Sequence, residues 1–312
     1  MTPEFESVGC PFGHETPAEK LFDRPDWWFQ LPGDFAWCRC PDCGILFLNP
    51  RPTPESIEAY YPAEYAAYRP AIDDERWAVI RWKRRRNLRH QITAVTNRRE
   101  NGRLLDIGCA TGNYLVEMRK LGWDVAGIEL QTEAAKYAQT RFNLDVYNGD
   151  LLTCPQPATK FDVITMWDVL EHTHHPLKIL AKAQKLLKPG GLLIFSIPDP
   201  NSKETASFGP TWIGYDSPRH LYLFHGKNLH MLLQKTGFTL TAQEHALGTY
   251  HTWVASWQTK INANNKGNKA VRHLLSKIAY LPFWSVLTAP HFKRLNQQKA
   301  GSVLTVFAQP NG

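Results

Sequence analysis

From Arg103 onward, apolar residues come in short continuous runs that alternate with stretches of helical spacing. "RLLDIG" reads as a buried strand, and "NYLVEMRKLG" as a helix ending at Gly122. "WDVAGIEL" is a strand, "QTEAAKYAQTRF" a helix and "LDVYNGD" a short strand. "FDVITMWDVLEH" begins as a strand, and "HPLKILAKAQKLLKPGG" is a helix with a glycine stop. "LLIFSIP" is a fully apolar strand, "GKNLHMLLQKTGF" a helix, and "TLTAQEHAL" and "SVLTVFAQ" are the last strands. Strands alternating with helices predict an α/β domain with a mostly parallel, doubly wound sheet and helices on both faces. Ligands of such sheets lie beyond the carboxyl ends of the strands.

The first hundred residues read differently. "NPRPTPESIEAYYPAEYAAY" predicts a turn and then a short helix, with Thr53 as N-cap and Pro54 at the first helical position. Asp73 to Arg99 reads as one basic helix. The expected organisation is a small module over 1–66, a basic linker helix over 67–102, and the α/β domain over 103–312. That domain carries a basic, apolar insertion at about 255–299.

Composition sharpens this picture in two places. The chain has 312 residues and 43% apolar content, enough for one large domain plus a small module. "MTPEFESVGCPFGHE" has neither a basic start nor an apolar run, so it does not read as a secretory signal. The apolar stretch "IAYLPFWSVLTAPHF" is broken by Pro282 and Pro290, and a spanning helix needs about 20 apolar residues. A cytoplasmic, reducing location is expected, where clustered cysteines bind metal more often than they pair. The net charge of +7 is concentrated: from His245 to Gly312 there are eight Lys or Arg and no acid. Arg81 to His90 holds six more basic residues, which could face phosphates or could form a solvated helix face.

Cys40-Pro-Asp-Cys43-Gly44 is a metal knuckle: two thiols two residues apart, with a glycine behind them for the tight turn. Tetrahedral zinc needs four ligands. Between Met1 and Cys38 the only Cys and His are Cys10 and His14, so Cys10, His14, Cys40 and Cys43 form the expected set. Cys38 could replace His14. A site filled by four protein ligands is structural, and idle thiols are the alternative.

The first strand of the α/β domain runs into Asp106-Ile-Gly108-Cys109-Ala110-Thr111-Gly112. The glycines are four apart and an acid precedes them, which does not suit a pyrophosphate. A cationic, phosphate-free ligand fits this loop better, and Gly108 and Gly112 permit close approach. Glu129, at the end of the second strand, can accept both hydroxyls of a ribose. Asp150, followed by Leu151, could accept from an exocyclic amine, and Trp167 and Asp168 line the same crevice. Any one such acid could be a helix cap. Their order at successive strand ends points to one ligand site.

"LLDIGCATGNYL", "GIEL", "GDLL", "FDVITMWDVLEH" and "LLKPGGLLIFSIP" resemble the ordered motifs of class I S-adenosylmethionine-dependent methyltransferases, over roughly Arg103 to Gln309. The resemblance implies a Rossmann-like sheet of seven strands, the last antiparallel. It implies that Asp106, Gly108 and Gly112 hold the methionine part of the donor, Glu129 the ribose and Asp150 the adenine, with Leu151 and Trp167 alongside. Many members have Gly where this chain has Ala110. The whole chain resembles a narrower bacterial group whose N-terminal zinc-ribbon-like module ends in "CPDCGILFLNPRP" and in which "SPRHLYLF" follows the fifth strand. That group usually has Cys-x-x-Cys as its first pair, whereas Gly13 stands here at the second position.

Methyl transfer is an in-line displacement from a sulfonium, and an oxygen nucleophile of high pKa benefits from a general base. His220 in "DSPRHLYLF" is the first candidate for base or acceptor contact, and His172 beside Glu171 the second. Each could instead be a hydrogen-bonded structural histidine. Arg219 could bind an anionic acceptor or pair with Asp216. No Asn/Asp-Pro-Pro-aromatic motif follows the fourth strand, which disfavours amino methylation of DNA bases. The basic, apolar tail could cover the acceptor and rest on an anionic membrane surface, or pack on its own domain. The sequence therefore predicts transfer of a methyl group to a small-molecule acceptor on oxygen, lipid-like, quinone-like or sugar. The alternatives are an RNA methyltransferase gripping phosphates and a non-catalytic adaptor using the zinc module.

Overall fold

The structure is a computed structural model and describes residues 3–62, 71–245, 249–264 and 288–311. The chain divides into two compact units. One is Met1–Pro62 with Ile197–Leu229 and Glu244–Leu304; the other is Ala63–Ser196 with His230–Gln243 and Thr305–Gly312.

The N-terminal residues form β1 (Phe5–Glu6), β2 (Glu19–Asp23), β3 (Ala36–Arg39), β4 (Leu46–Leu48) and β5 (Arg51–Pro52). The knuckle turn joins β3 to β4, which pair antiparallel with Cys38 opposite Phe47. Trp37, Ile45, Phe47 and Leu48 are all fully buried, so this small sheet has an apolar core of its own. The helix expected after Thr53 is a single 3₁₀ turn, Ile57–Tyr60. The Thr53 carbonyl, not its hydroxyl, organises the turn by accepting from Ser56 and Ile57 N–H at 3.0 Å.

The basic helix α1 spans Ala78–Thr96. Ala94 and Val95 are buried in the core, while Trp82, Arg85, Arg86 and Arg89 face out. Then follow β6 (Arg103–Ile107), α2 (Asn113–Lys120), β7 (Asp124–Glu129), α3 (Thr132–Phe142) and β8 (Asp145–Asn148). After these come β9 (Phe161–Trp167), α4 (Pro176–Leu186) and β10 (Leu187–Pro198). The Gln131 side chain caps α3 by accepting from Ala134 N–H at 2.6 Å, and Asn143 ends it in the left-handed conformation. The helix α4 stops at Leu186, short of the glycines expected to end it. Leu187 already pairs with Phe161, and "KPGG" is an irregularity inside β10 before pairing resumes at Leu192.

The rest comprises α5 (Lys203–Phe208), β11 (Tyr222–Leu223), α6 (Gly226–Lys235), β12 (Phe238–Glu244), α7 (Thr249–Asn264), α8 (Ala289–Gln297) and β13 (Val303–Pro310). Residues 265–287, the middle of the expected insertion, lie outside the described residues. The large sheet has seven strands in the order β12-β13-β10-β9-β6-β7-β8. Pairs β9–β10, β6–β9, β6–β7 and β7–β8 are parallel, as the alternation predicts. The last strand runs the other way: Asp199 N–H, after β10, bonds Ser302 O before β13. At the opposite end Asn311 N–H bonds Gly237 O ahead of β12. The carboxyl ends of the parallel strands therefore share one edge.

Candidate functional site

Asp106 is the last residue but one of the buried strand β6, and is 3% exposed. Its Oδ1 accepts from the Thr165 hydroxyl at 2.7 Å. Burial pushes the carboxyl up to about 7; Thr165 opposes this and the nearby Glu129 adds to it. Glu129, from the end of β7, is also buried and raised, chiefly by burial. Its two oxygens accept Ala110 N–H and Gln131 N–H, each at 2.8 Å. An ionised carboxylate has about four acceptor positions, and with Leu130 as a further backbone donor there is still room for a ligand hydroxyl. No Lys or Arg bonds either acid among the described residues. Two buried acids without a cation suit a ligand that is itself a cation.

The loop between β6 and α2 is shaped by backbone sign. Gly108 has φ +76°, and a Cβ there would lie 2.5 Å from Val169 Cγ2. Gly112 has φ +77°, and a Cβ would lie 2.5 Å from Leu144 Cδ1. Both glycines are thus required by the protein's own packing, independent of any ligand. Ala110 sits at φ 47°, a conformation that glycine adopts more readily than alanine.

Asp150 is exposed; its Oδ1 accepts from Leu152 N–H at 2.6 Å, and Leu151 beside it is buried. Trp167 ends β9 and meets Tyr114 edge-on at 5.8 Å. The Tyr114 hydroxyl is buried near Thr165 and Trp167 Nε1 without a well-formed hydrogen bond to either. The sequence reading missed Tyr114, because a tyrosine in the first turn of a helix carries no signal of its own. It also gave Glu171 no role. That carboxyl is 1% exposed, its Oε2 has no partner, and burial then the Asp168 charge hold its pKa well above the usual range. His172 closes the same 3₁₀ turn, Leu170–His172.

In the other unit, His220 is anchored: its Nδ1 donates to Gly214 O at 2.8 Å. Arg219 pairs within the loop and beyond it. Its guanidinium, 0% exposed, bonds Asp216 at 2.6 and 2.8 Å and Asp26 at 2.7 and 3.1 Å. Burial would raise the Asp216 carboxyl, but Arg219 overrides it and holds it below its ordinary value. Arg24 is equally buried, stacks over Trp27 at 4.3 Å, and is drawn down by burial to about 10.

Cys10, His14, Cys40 and Cys43 converge, with their ligand atoms within 4.8 Å of one another. His14 Nδ1 lies 3.3 Å from Cys10 Sγ and 3.5 Å from Cys40 Sγ, and the Cys10 and Cys43 sulfurs are 3.6 Å apart. Ligands about 2.0–2.3 Å from a tetrahedral zinc stand roughly 3.4–3.8 Å from each other, so the cluster could hold one. Gly13 and Gly44 both have positive φ and shape the two matching turns. Burial opposes ionisation of Cys40, yet N–H groups of Cys43 and Asp42 bring its thiol to about 7. Cys38 points elsewhere in β3 and does not join the cluster. The segment "SPRHLYLF" leans on this module: β11 pairs with β4, and His225 Nε2 donates to Gly44 O at 3.2 Å.

Residues 80–243 match the family described as a methyltransferase domain. The chain is 37% identical over 108 residues to a ubiquinone biosynthesis O-methyltransferase of Paraburkholderia phymatum, covering 32% of this chain and 46% of that one. A protein of the same description from Cereibacter sphaeroides is 35% identical over 118 residues, covering 36% and 48%. The chain thus spans about half the length of the relatives it matches. Among solved structures, an S-adenosylmethionine-dependent methyltransferase from Clostridium acetobutylicum aligns with TM-score 0.44 at 13% identity, covering 74% of this chain and 92% of that one. The match over more than half of the chain, on a sheet of this strand order, places the protein in the methyltransferase-domain family, in its class I, S-adenosylmethionine-dependent form.

Proposed function

We propose that this protein transfers a methyl group from S-adenosylmethionine to an oxygen of a small, quinone-like acceptor. The observation that carries the donor assignment is the pair of buried, uncompensated acids, Asp106 and Glu129, around a loop with positive φ. The donor supplies an activated methyl on a sulfonium. Asp106 and the Gly108–Gly112 loop would receive its amino-acid end. Glu129 would accept the ribose hydroxyls, and Asp150 with Leu151 and Trp167 would line the adenine. The relatives named for ubiquinone biosynthesis support the oxygen and quinone-like choice. His220 and His172 are proposed as acceptor contacts.

The Cys10/His14/Cys40/Cys43 cluster is proposed as a structural zinc site, because all four positions would be filled by protein. Among the described residues no helix is long and apolar enough to cross a membrane. A peripheral contact with an anionic membrane surface is supported by α1, which exposes Trp82 beside Arg86 and Arg89, with Trp77 at its start.

The test is methyl tracing. Purified protein and labelled S-adenosylmethionine are added to a cell extract that is then split into organic-soluble, small polar, RNA and protein fractions. Label in the organic-soluble fraction is the expected result. Label in RNA overturns the acceptor assignment.

A further inference from the structure

The connection that carries Asp150 is built differently from its neighbours in the sheet. β6 and β7 are joined through α2, β7 and β8 through α3, and β9 and β10 through α4, but residues 149–160 join β8 to β9 without a helix. One helical turn is all that forms. Asp150 Oδ1 caps it by accepting from Leu152 N–H at 2.6 Å, and Cys154 N–H closes it on Asp150 O at 3.0 Å. Pro155 and Pro157 come next; proline has no N–H to donate, so the turn stops there. A turn that stops so early leaves its last carbonyls without partners along the chain.

Lys182 supplies the partners. Its Nζ donates to Cys154 O at 2.7 Å and to Leu152 O at 3.2 Å. The ammonium stands at the carbonyl end of the turn, where a cation is favoured, and its hydrogen bonds are charge-assisted. Lys182 is half-buried and sits on α4, whose Ile179, Leu180, Ala183 and Leu186 are buried. The side chain therefore starts from a fixed base. A lysine kept for solubility would extend its ammonium into water, whereas this one gives two of its three donors to backbone carbonyls. Asp150 and Lys182 belong to the same compact unit. Asp150 is exposed, so water reaches its carboxylate, and only the closed turn sets the direction in which the second oxygen, Oδ2, points.

We propose that Lys182 is the positioning residue by which this chain selects adenine at the base end of its donor. The proposal rests on the reading of Asp150 as the adenine acceptor given above. The ammonium ties the turn 150–154 to α4, and the tied turn aims Asp150 Oδ2 at the exocyclic amine. Lys182 touches no part of the donor and acts only through Asp150. Adenine presents an amine that donates to a carboxylate. Hypoxanthine presents a carbonyl oxygen at the same position, which a carboxylate repels. A turn that holds its shape tells the two bases apart, whereas a loose one lets Asp150 swing to water and the distinction is lost.

The experiment is calorimetric binding of the full chain to S-adenosylhomocysteine and to S-inosylhomocysteine, which carries an oxygen in place of that amine. The wild-type protein is expected to prefer the adenine ligand by about tenfold or more. Lys182→Met lowers the preference to about threefold or less by weakening S-adenosylhomocysteine, while the affinity for S-inosylhomocysteine changes by less than about twofold. Lys182→Arg keeps a cation within reach of both carbonyls and retains the preference. Lys182→Gln, with a shorter and neutral donor, falls between, and carries the same test where the methionine variant does not fold. Equal weakening of both ligands in the Met and Gln variants overturns the proposal, because a general packing role does that. An unchanged preference in those variants also overturns it. Asp150→Ala separates this proposal from the reading beneath it. If Asp150→Ala retains the preference, the adenine is read elsewhere, and the Asp150 assignment fails with the proposal. If Asp150→Ala removes the preference and Lys182→Met keeps it, the Lys182 proposal alone fails.

Discussion

Asp106 is where burial most changes the chemistry of one side chain. Its unfolded carboxyl titrates near 4, and in the folded chain burial raises it to about 7. The folded state therefore binds the proton more tightly. This contribution to stability is complete below about pH 4 and is lost as pH rises through 7. A cationic donor prefers the ionised form, so donor affinity runs the opposite way. Between pH 5 and 7 the dissociation constant of S-adenosylmethionine should fall by up to about tenfold per unit, and calorimetry across that range measures it. Asp106→Asn should bind weakly at every pH and flatten the profile. Gly108→Ala meets both a left-handed φ and Val169 at 2.5 Å, so a loss of about 1–3 kcal/mol in denaturant unfolding is expected. Removing Arg219 leaves Asp26 and Asp216 buried without their partner. Arg219→Ala should cost about 3–5 kcal/mol by the same measurement.

At the scale of elements, the N-terminal cysteine module depends on a strand from far along the chain. Its sheet runs in the order β11-β4-β3-β2, and β11 is Tyr222–Leu223. Trp37 Nε1 donates to Ser217 Oγ at 3.2 Å, and Arg51 Nη1 to the Tyr222 hydroxyl at 2.6 Å. For the proposed zinc site, chelation, or replacing Cys40 by Ser, should release one zinc per chain and loosen both partners of this sheet. Limited proteolysis should then cut within 210–225 as well as near the knuckles. Cleavage confined to the knuckles would mean that the module folds without β11. The helix α1 is two-sided: Leu88 and Ile92 pack on the core while Arg85, Arg86 and Arg89 remain outside, so its charge was readable and its burial was not.

At the scale of the whole molecule, the boundary drawn from the sequence follows the change in apolar spacing near Arg103. The compact units of the structure instead gather Ile197–Leu229 with the N-terminal module. Local patterns cannot report such a pairing, because it depends on where a distant segment returns. The expected product of the whole molecule is a methylated, organic-soluble small molecule, which the tracing assay detects.

The sequence by itself determined the alternation of strands and helices, the acids at successive strand ends and the four metal-type ligands. Each is a local pattern whose physical cause acts within a few residues or repeats with the period of one element. Tertiary structure alone decided the partners. Of the two roles open to Arg219 in the sequence, it chose pairing with Asp216 and added Asp26 to the same buried cluster. It brought Cys10 and His14 to Cys40 and Cys43, and left Cys38 out. It set Lys182 against the carbonyls of Leu152 and Cys154. Burial and pairing over such separations are what shift a proton or aim a side chain, and they exist only once the sheet has closed.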